Sequence, residues 1–182
     1  MARTVPVVAT EVPGNFQTAA LWTAQISATM QWTMGSGTNG VPRFKGYAAS
    51  TQSIGNGTTD IPLNLDTEDW DSDNGHSTVT NTSRYTVQVA GTYRVTGVGG
   101  VVSSATGNRK LGINLNGVNV RGAATQQPSL ATNSWCGCVS TEVACVVGDY
   151  IEVVIWQTSG GALNTATGSS FGPALMCCWI SS

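Results

Sequence analysis

Along most of this chain apolar residues fall at every second position, in short runs broken by Gly, Asn, Asp, Ser and Thr. That period places alternate side chains on opposite faces of an extended strand. The densest run is Val143–Gln157, VACVVGDYIEVVIWQ, where two apolar segments, Val143–Val147 and Tyr150–Trp156, meet at Gly148-Asp149. Both segments are rich in β-branched and aromatic residues, which pack well on a pleated surface. Gly-Asp offers permissive backbone angles and a side chain able to bond its own turn, so the stretch predicts a β-hairpin. In the second segment Ile151, Val153 and Ile155 share one face, and Glu152, Val154 and Trp156 the other, as in a strand covered on both sides. The hairpin is expected at the centre of a sandwich.

The other strands follow from the same alternation. Pro42–Ser50 reads as the first, with Phe44 inward, and Thr59–Leu65 puts Ile61, Leu63 and Leu65 on one face. Arg84–Val89 aims Tyr85, Val87 and Val89 inward, and Gly91-Thr92 turns into Tyr93–Val102. Leu111, Ile113 and Leu115 alternate up to Asn116-Gly117, a strong hairpin signal that predicts a type I′ turn, and Val118 and Val120 lead the return strand. Residues 123–133 and 158–170 read as polar loops around the strand Trp135–Val147, and Phe171–Ile180 closes the sheet.

One segment breaks the pattern. Trp22, Ile26 and Met30 recur every fourth residue, with Thr23, Ser27 and Gln31 opposite, which predicts an amphipathic helix to about Met34 capped by Asn15 or Thr18. Residues 1–14, with Pro6 and Pro13, read as an extended arm, and Gly35–Gly40 as a flexible linker. Residues 1–40 are therefore arm, helix and linker, and residues 41–182 a head domain. The helix needs a partner: its own domain, copies of itself in a short bundle, or another protein that it anchors to.

Composition narrows the setting. Of 182 residues 41% are hydrophobic and only 10% charged, so the surface must be built from Ser, Thr, Asn, Gln and Gly. The net charge of −2 gives no electrostatic case for nucleic acid or an anionic membrane. No apolar run reaches the roughly 18 residues of a spanning helix, so no membrane insertion is expected. MARTVPVVATEVPG holds no continuous apolar core of signal-peptide length, and cytoplasmic synthesis is expected. The five cysteines, an odd number without zinc-knuckle spacing, are expected as reduced, buried small apolar side chains.

Few residues suggest chemistry. Asp66, Glu68, Asp69, Asp71 and Asp73 crowd one short stretch. Asp69, Asp71 and Asp73 are the candidate calcium ligands, although the glycine of the expected loop stands one place late and its closing glutamate is missing. The alternative is a solvated acidic loop with no cofactor. His76 beside these carboxylates is a candidate for ligand contact, and without a nucleophile motif no catalysis is expected. Trp135, flanked by polar loops, could stack on a sugar ring or belong to an oligomer core. Tyr150, Trp156, Trp179 and Phe171 are candidate interface residues, since aromatics are enriched in obligate interfaces.

The order Asn81…Tyr85-Thr-Val-Gln-Val-Ala-Gly-Thr-Tyr93, Leu111-Gly-Ile-Asn-Leu-Asn-Gly117, Gly148-Asp149-Tyr-Ile-Glu-Val, Phe171-Gly-Pro-Ala-Leu175 resembles the complement-head/tumour-necrosis-factor jelly roll. The spacing Phe171-Gly172 is one residue shorter than in that family. The resemblance implies an all-β jelly-roll sandwich of about ten antiparallel strands, assembled as a tight homotrimer through aromatic and aliphatic faces. A second resemblance, carried by Thr18–Gln25 with its Gly-rich linker and by Asp66…Asp73-Asn-Gly-His76…Asn81-Thr-Ser-Arg84-Tyr85, is to minor tail or fibre proteins of phages infecting actinobacteria. It implies a non-enzymatic virion protein, joined to other virion proteins through residues 1–34. Its head would contact host-surface glycan through loops 66–80, 123–133 and 158–170. The alternatives are a capsid decoration or head-fibre protein and, from another class, a glycan-processing enzyme.

Overall fold

The structure, a computed structural model, describes residues 5–7, 18–35, 40–129, 131–167 and 169–182. Nearly all of the arm, the alternative cap Asn15 and residues 36–39 of the linker lie outside them. The chain folds as an all-β jelly roll of two facing antiparallel sheets. Its strands are β1 (Arg43–Tyr47), β2 (Ser53–Ile54), β3 (Gly57–Pro62), β4 (Thr67–Asp71), β5 (Arg84–Thr86), β6 (Gly91–Val101), β7 (Asn108–Leu115), β8 (Val118–Pro128), β9 (Trp135–Cys145), β10 (Tyr150–Gln157), β11 (Leu163–Asn164) and β12 (Ala174–Ser181). One sheet runs β4-β1-β12-β6-β9 and the other β5-β10-β7-β8, while β2 and β11 form a small pair of their own. The strand count thus exceeds the expected ten through short pieces such as these.

The inward faces are the ones the alternation marked. Of the residues read as inward, Phe44, Leu63, Leu65, Tyr85, Val87, Val89, Leu111, Ile113, Ile151, Val153 and Ile155 are buried and Ile61 and Leu115 half-buried; Tyr93, Val95 and Leu175 complete the buried set. Two glycines of β6 decide how near the sheets approach. A Cβ on Gly97 would stand 2.8 Å from Val153 Cγ2, and one on Gly99 2.6 Å from Leu63 Cδ1 and 2.8 Å from Leu111 Cδ1. Their missing side chains are the space that the facing sheet fills. The alternation could not mark them, because a glycine carries no sign of which way it faces.

The Asn116-Gly117 hairpin is as expected: Leu115 pairs with Val118, and φ is +52° at Asn116 and +77° at Gly117, both positive as a type I′ turn needs. Gly148-Asp149 is different. β9 pairs with β6 and β10 with β5 and β7, so the two runs of Val143–Gln157 lie in opposite sheets and the turn is a crossover, not a hairpin hinge. Val146 and Val147 are accordingly out of the strand and exposed. Turn chemistry bends a chain equally well within a sheet and between sheets, which is why local sequence misassigned it. Thr67–Asp71, read as acidic loop, is an edge strand, and Ala123–Pro128 continues β8 instead of opening a loop.

The N-terminal helix forms with Thr18 as cap, its hydroxyl accepting from Leu21 N at 3.1 Å. It runs as α1 (Ala19–Trp22), a π-helical turn (Thr23–Ser27) and α2 (Ala28–Met34). Trp32 is buried edge-on against Trp179, ring centroids 5.2 Å apart. The predicted stripe is not the docked face: Trp22 and Met30 are about half exposed and Ile26 is half-buried, while Met34, beyond the stripe, is 77% exposed. One face of the helix therefore docks on the head and another is open. None of the described helices is long and apolar enough to cross a membrane.

The contact of Val153 with the bare backbone of Gly97 yields a first prediction. Gly97→Ala should lower unfolding stability by about 1–3 kcal/mol, because β-branched Val153 cannot swing aside. A urea midpoint equal to that of the parent would show that the sheets separate without cost.

Candidate functional site

At the end of the sandwich that carries the 116–117 and 146–149 turns, the chain between β4 and β5 folds back along the edge of the four-stranded sheet. It frames an open cleft of about 500 Å³. β5 contributes Arg84 and Thr86, β10 its first residue Tyr150, and the 72–83 segment Asn74, Ser77, Thr80 and Asn81. Asn74 and Asn81 take left-handed backbone angles, φ +57° and +49°, which asparagine tolerates better than most residues.

The back wall is a chain of satisfied polar groups. His76 is buried, its Nδ1 2.6 Å from Glu68 Oε1 and its Nε2 3.0 Å from Thr82 O. Its backbone N–H donates to Asp71 Oδ2 at 2.8 Å. The imidazole lies against Phe44 (4.8 Å), Phe44 stacks on Tyr85 (5.0 Å), and the Tyr85 hydroxyl donates to both oxygens of Asp73 at 3.1 Å. Burial first, and the Asp73 charge second, push the Tyr85 phenol far above its ordinary value, so it remains a donor.

The side wall depends on Glu152. It is buried, and its Oε1 accepts from Ser83 Oγ at 2.7 Å and Arg84 Nε at 3.2 Å. The Arg84 guanidinium also lies 4.1 Å over the Tyr150 ring, a cation–π contact. Below it Gly148 and Asp149 are fixed by a clamp between two turns. Asn116 Nδ2 donates to Asp149 Oδ1 (2.8 Å), Val146 N to Asp149 Oδ2 (2.8 Å), and Tyr150 N to Asn116 Oδ1 (2.9 Å). The Asn116 amide first, then the Val146 N–H, hold the Asp149 carboxyl below its ordinary value.

The site residues expected from sequence fare unevenly. Asp69, Asp71 and Asp73 do not converge: Asp69 pairs with Lys45 at 2.6 Å, Asp71 holds the His76 backbone and Asp73 the Tyr85 hydroxyl. Among the described residues no three His, Cys or acidic side chains gather as a cation's ligands. His76 lines the cleft, but both its ring nitrogens are engaged within the protein. Trp135 is 3% exposed, its indole N–H donating to Gln127 Oε1, so it offers no ring to a sugar. Tyr150 and Trp156 share the outer side of β10, Trp179 points inward under Trp32, and Phe171 is exposed among loops at the far end, so the four form no common surface. The three loops also part company. Of the loops 66–80, 123–133 and 158–170, the part 72–80 lies at the end where the helix docks, and the described residues of 129–133 and 158–170 at the other. Arg84, Asn74 and Asn81 were missed as a site; the signal was Glu152, a lone carboxylate in an aliphatic strand that must find a donor.

A larger depression, about 580 Å³, lies by the outer face of the five-stranded sheet near Tyr47, Val98 and Pro173, but its Lys45 and Asp69 already neutralise each other.

No family model matches the chain, and no curated protein matches its sequence. Solved structures do. The globular domain of zebrafish complement 1qA protein aligns over 76% of this chain and 96% of its own, at 13% identity and a TM-score of 0.55. Murine APRIL at pH 8.5 aligns over 76% and 98%, at 10% identity and a TM-score of 0.56. Murine APRIL at pH 5.0 aligns over 77% and 99%, at 11% identity and a TM-score of 0.54. The fold is the complement-head/tumour-necrosis-factor jelly roll; at this identity the likeness concerns the fold.

Glu152→Ala should cost about 2–3 kcal/mol in urea unfolding, since Ser83 and Arg84 lose their acceptor. A loss below about 0.5 kcal/mol would mean that solvent replaces the carboxylate. The pH response follows from Asp66 and Asp149, both held below the ordinary 3.8, Asp66 chiefly by a hydrogen bond from Ser50. Their contribution is whole above that value and fades as pH falls through the lowered folded ones. Asp149→Asn should therefore flatten the fall of the urea midpoint between about pH 5 and about pH 2, and a curve parallel to the parent's would contradict the clamp.

Proposed function

We propose that this protein is a non-enzymatic bacteriophage virion structural protein, a homotrimer of jelly-roll heads of the minor tail or fibre type. Residues 1–34 join it to other virion proteins, and the head meets a host-surface glycan. The observation that carries this reading is the divided helix. Trp32 ties it to the head, while Trp22, Met30 and Met34 stay exposed among the described residues, an apolar surface suited to a second protein.

The seam of the trimer is the outer face of the five-stranded sheet. There Tyr47, Ala174, Val98 and Cys138 align in one row across β1, β12, β6 and β9, and Lys45, Met176, Thr96 and Ser140 in the next. It carries two 11-residue strands, β6 and β9, and its charges are largely paired, Arg94 with Glu142 and Lys45 with Asp69. An interface here leaves the cleft, at the edge of the other sheet, open to a ligand.

Light scattering on the full chain should give a threefold mass, and Val98→Glu should reduce it to a single one. An unchanged mass in the variant removes this face from the seam. Antibody raised against residues 41–182 should decorate phage particles in electron micrographs, and deletion of residues 1–34 should leave a folded head that no longer joins them. Unlabelled particles would overturn the virion reading.

A further inference from the structure

The cleft is lined by groups whose hydrogen-bonding capacity the chain does not use. Arg84 spends only Nε on Glu152, and among the described residues its two terminal amino groups have no acceptor. They form the edge of a planar fork whose base is pinned by a buried carboxylate and whose face is pinned by Tyr150. The side-chain amides of Asn74 and Asn81 have no hydrogen-bond partner among the described residues either. Their left-handed backbones fix where those amides start from. Ser77 and Thr80, 3.3 Å apart at their oxygens, and the Gln88 amide add donors and acceptors to the same wall. Arg84 is the only lining residue with a permanent charge.

From this arrangement we infer that the cleft binds a saccharide carrying a carboxylate, a uronic acid or similar acidic sugar, with the carboxylate on the free edge of Arg84 and ring hydroxyls on the Asn74 and Asn81 amides. A guanidinium edge matches the two oxygens of a carboxylate in one plane. A primary amide offers a donor and an acceptor side by side, which suits neighbouring hydroxyls that can each do both. Tyr150, its face already under Arg84, acts as a positioning residue. The Glu152 charge behind the guanidinium offsets that of Arg84, so the site does not collect anions at large. The hydroxyl contacts are needed to hold the ligand.

This assignment rests on the glycan part of the proposed function and is tested on the full-length protein without any phage. In a heteronuclear NMR titration with D-glucuronate, resonances of Asn74, Asn81, Arg84 and Tyr150 should shift and saturate with a dissociation constant of about 1 mM. D-glucose and acetate should each bind at least about tenfold more weakly, because each lacks half of the recognition. Arg84→Gln should bring glucuronate to the level of glucose. Arg84→Lys, which keeps a cation beside Glu152, and Asn81→Gly, which keeps the left-handed backbone, should each weaken it severalfold, and carry the test if Arg84→Gln does not fold. Equal affinity for acetate and glucuronate would reduce the cleft to an anion site, and shifts away from these residues, or none, would overturn the assignment. Labelled particles with no sugar binding would refute the cleft and leave the virion role. Sugar binding with unlabelled particles would do the reverse.

Discussion

A carboxylate in the most buried strand constrains the rest of this molecule. β10 is packed on both faces, and Glu152 sits in it 3% exposed among valines and isoleucines. Burying an ionised group without partners is far costlier than any single side chain can recover. Donors must therefore be brought to it, and they come from Ser83 and Arg84 at the start of β5. With β5 held to β10 over only three residue pairs, this polar contact decides where the strand lies and where the 72–83 segment before it must close. The open edge of Arg84 is a by-product of that requirement. The cleft exists because the core contains a charge.

Around this centre, what could be read from sequence and what could not divide along physical lines. Alternation is a property of single strands, so the buried faces of β7 and β10 were legible residue by residue. So was a turn whose geometry two residues dictate, Asn116-Gly117. Sheet membership is a property of pairs. Nothing in VVGDY tells a chain that stays in its sheet from one that leaves it; the choice is made by Gly148 N donating to Val87 O and Val87 N to Asp149 O, contacts with a distant segment. β4 escaped for a related reason: TEDWD has little intrinsic preference for a strand, and it is held as one by pairing with β1 and by Lys45, which bonds Asp69 and lies 5.2 Å over the Trp70 ring.

The site was legible only in outline. The 66–80 stretch was marked as unusual by its density of acids, and it does frame the cleft. Which of its residues face a ligand was not legible, because His76 and Trp135, the residues that look chemically interesting in a sequence, are the ones a fold most readily consumes. His76 satisfies Glu68 and Thr82, and Trp135 fills the core above Gly137. The groups left over are asparagines and half of an arginine, whose availability depends on what their neighbours have already used. Such a site is defined by accounting for hydrogen bonds, and that needs coordinates.

The same accounting explains how a chain so poor in charge handles its acids. Every carboxylate among the described residues has a partner inside the protein. Asp60 bonds Lys110 and Asn119, Asp66 the backbone of Ala49 and Ser50, Asp69 Lys45, Asp73 Tyr85, Glu142 Arg94, Asp149 Asn116, and Glu68 and Asp71 share His76. The acids act as local braces of loops and strand edges. A molecule that uses its charges in this way has no long-range field with which to steer a partner. On the glycan-binding reading proposed above, recognition works at contact distance, through shape, amides and hydroxyls, with an arginine to discriminate. For a surface that meets the hydroxyl-rich coat of a cell at very high local concentration, weak contacts repeated over the copies of an oligomer suffice, and the absence of a field avoids trapping on every charged polymer nearby.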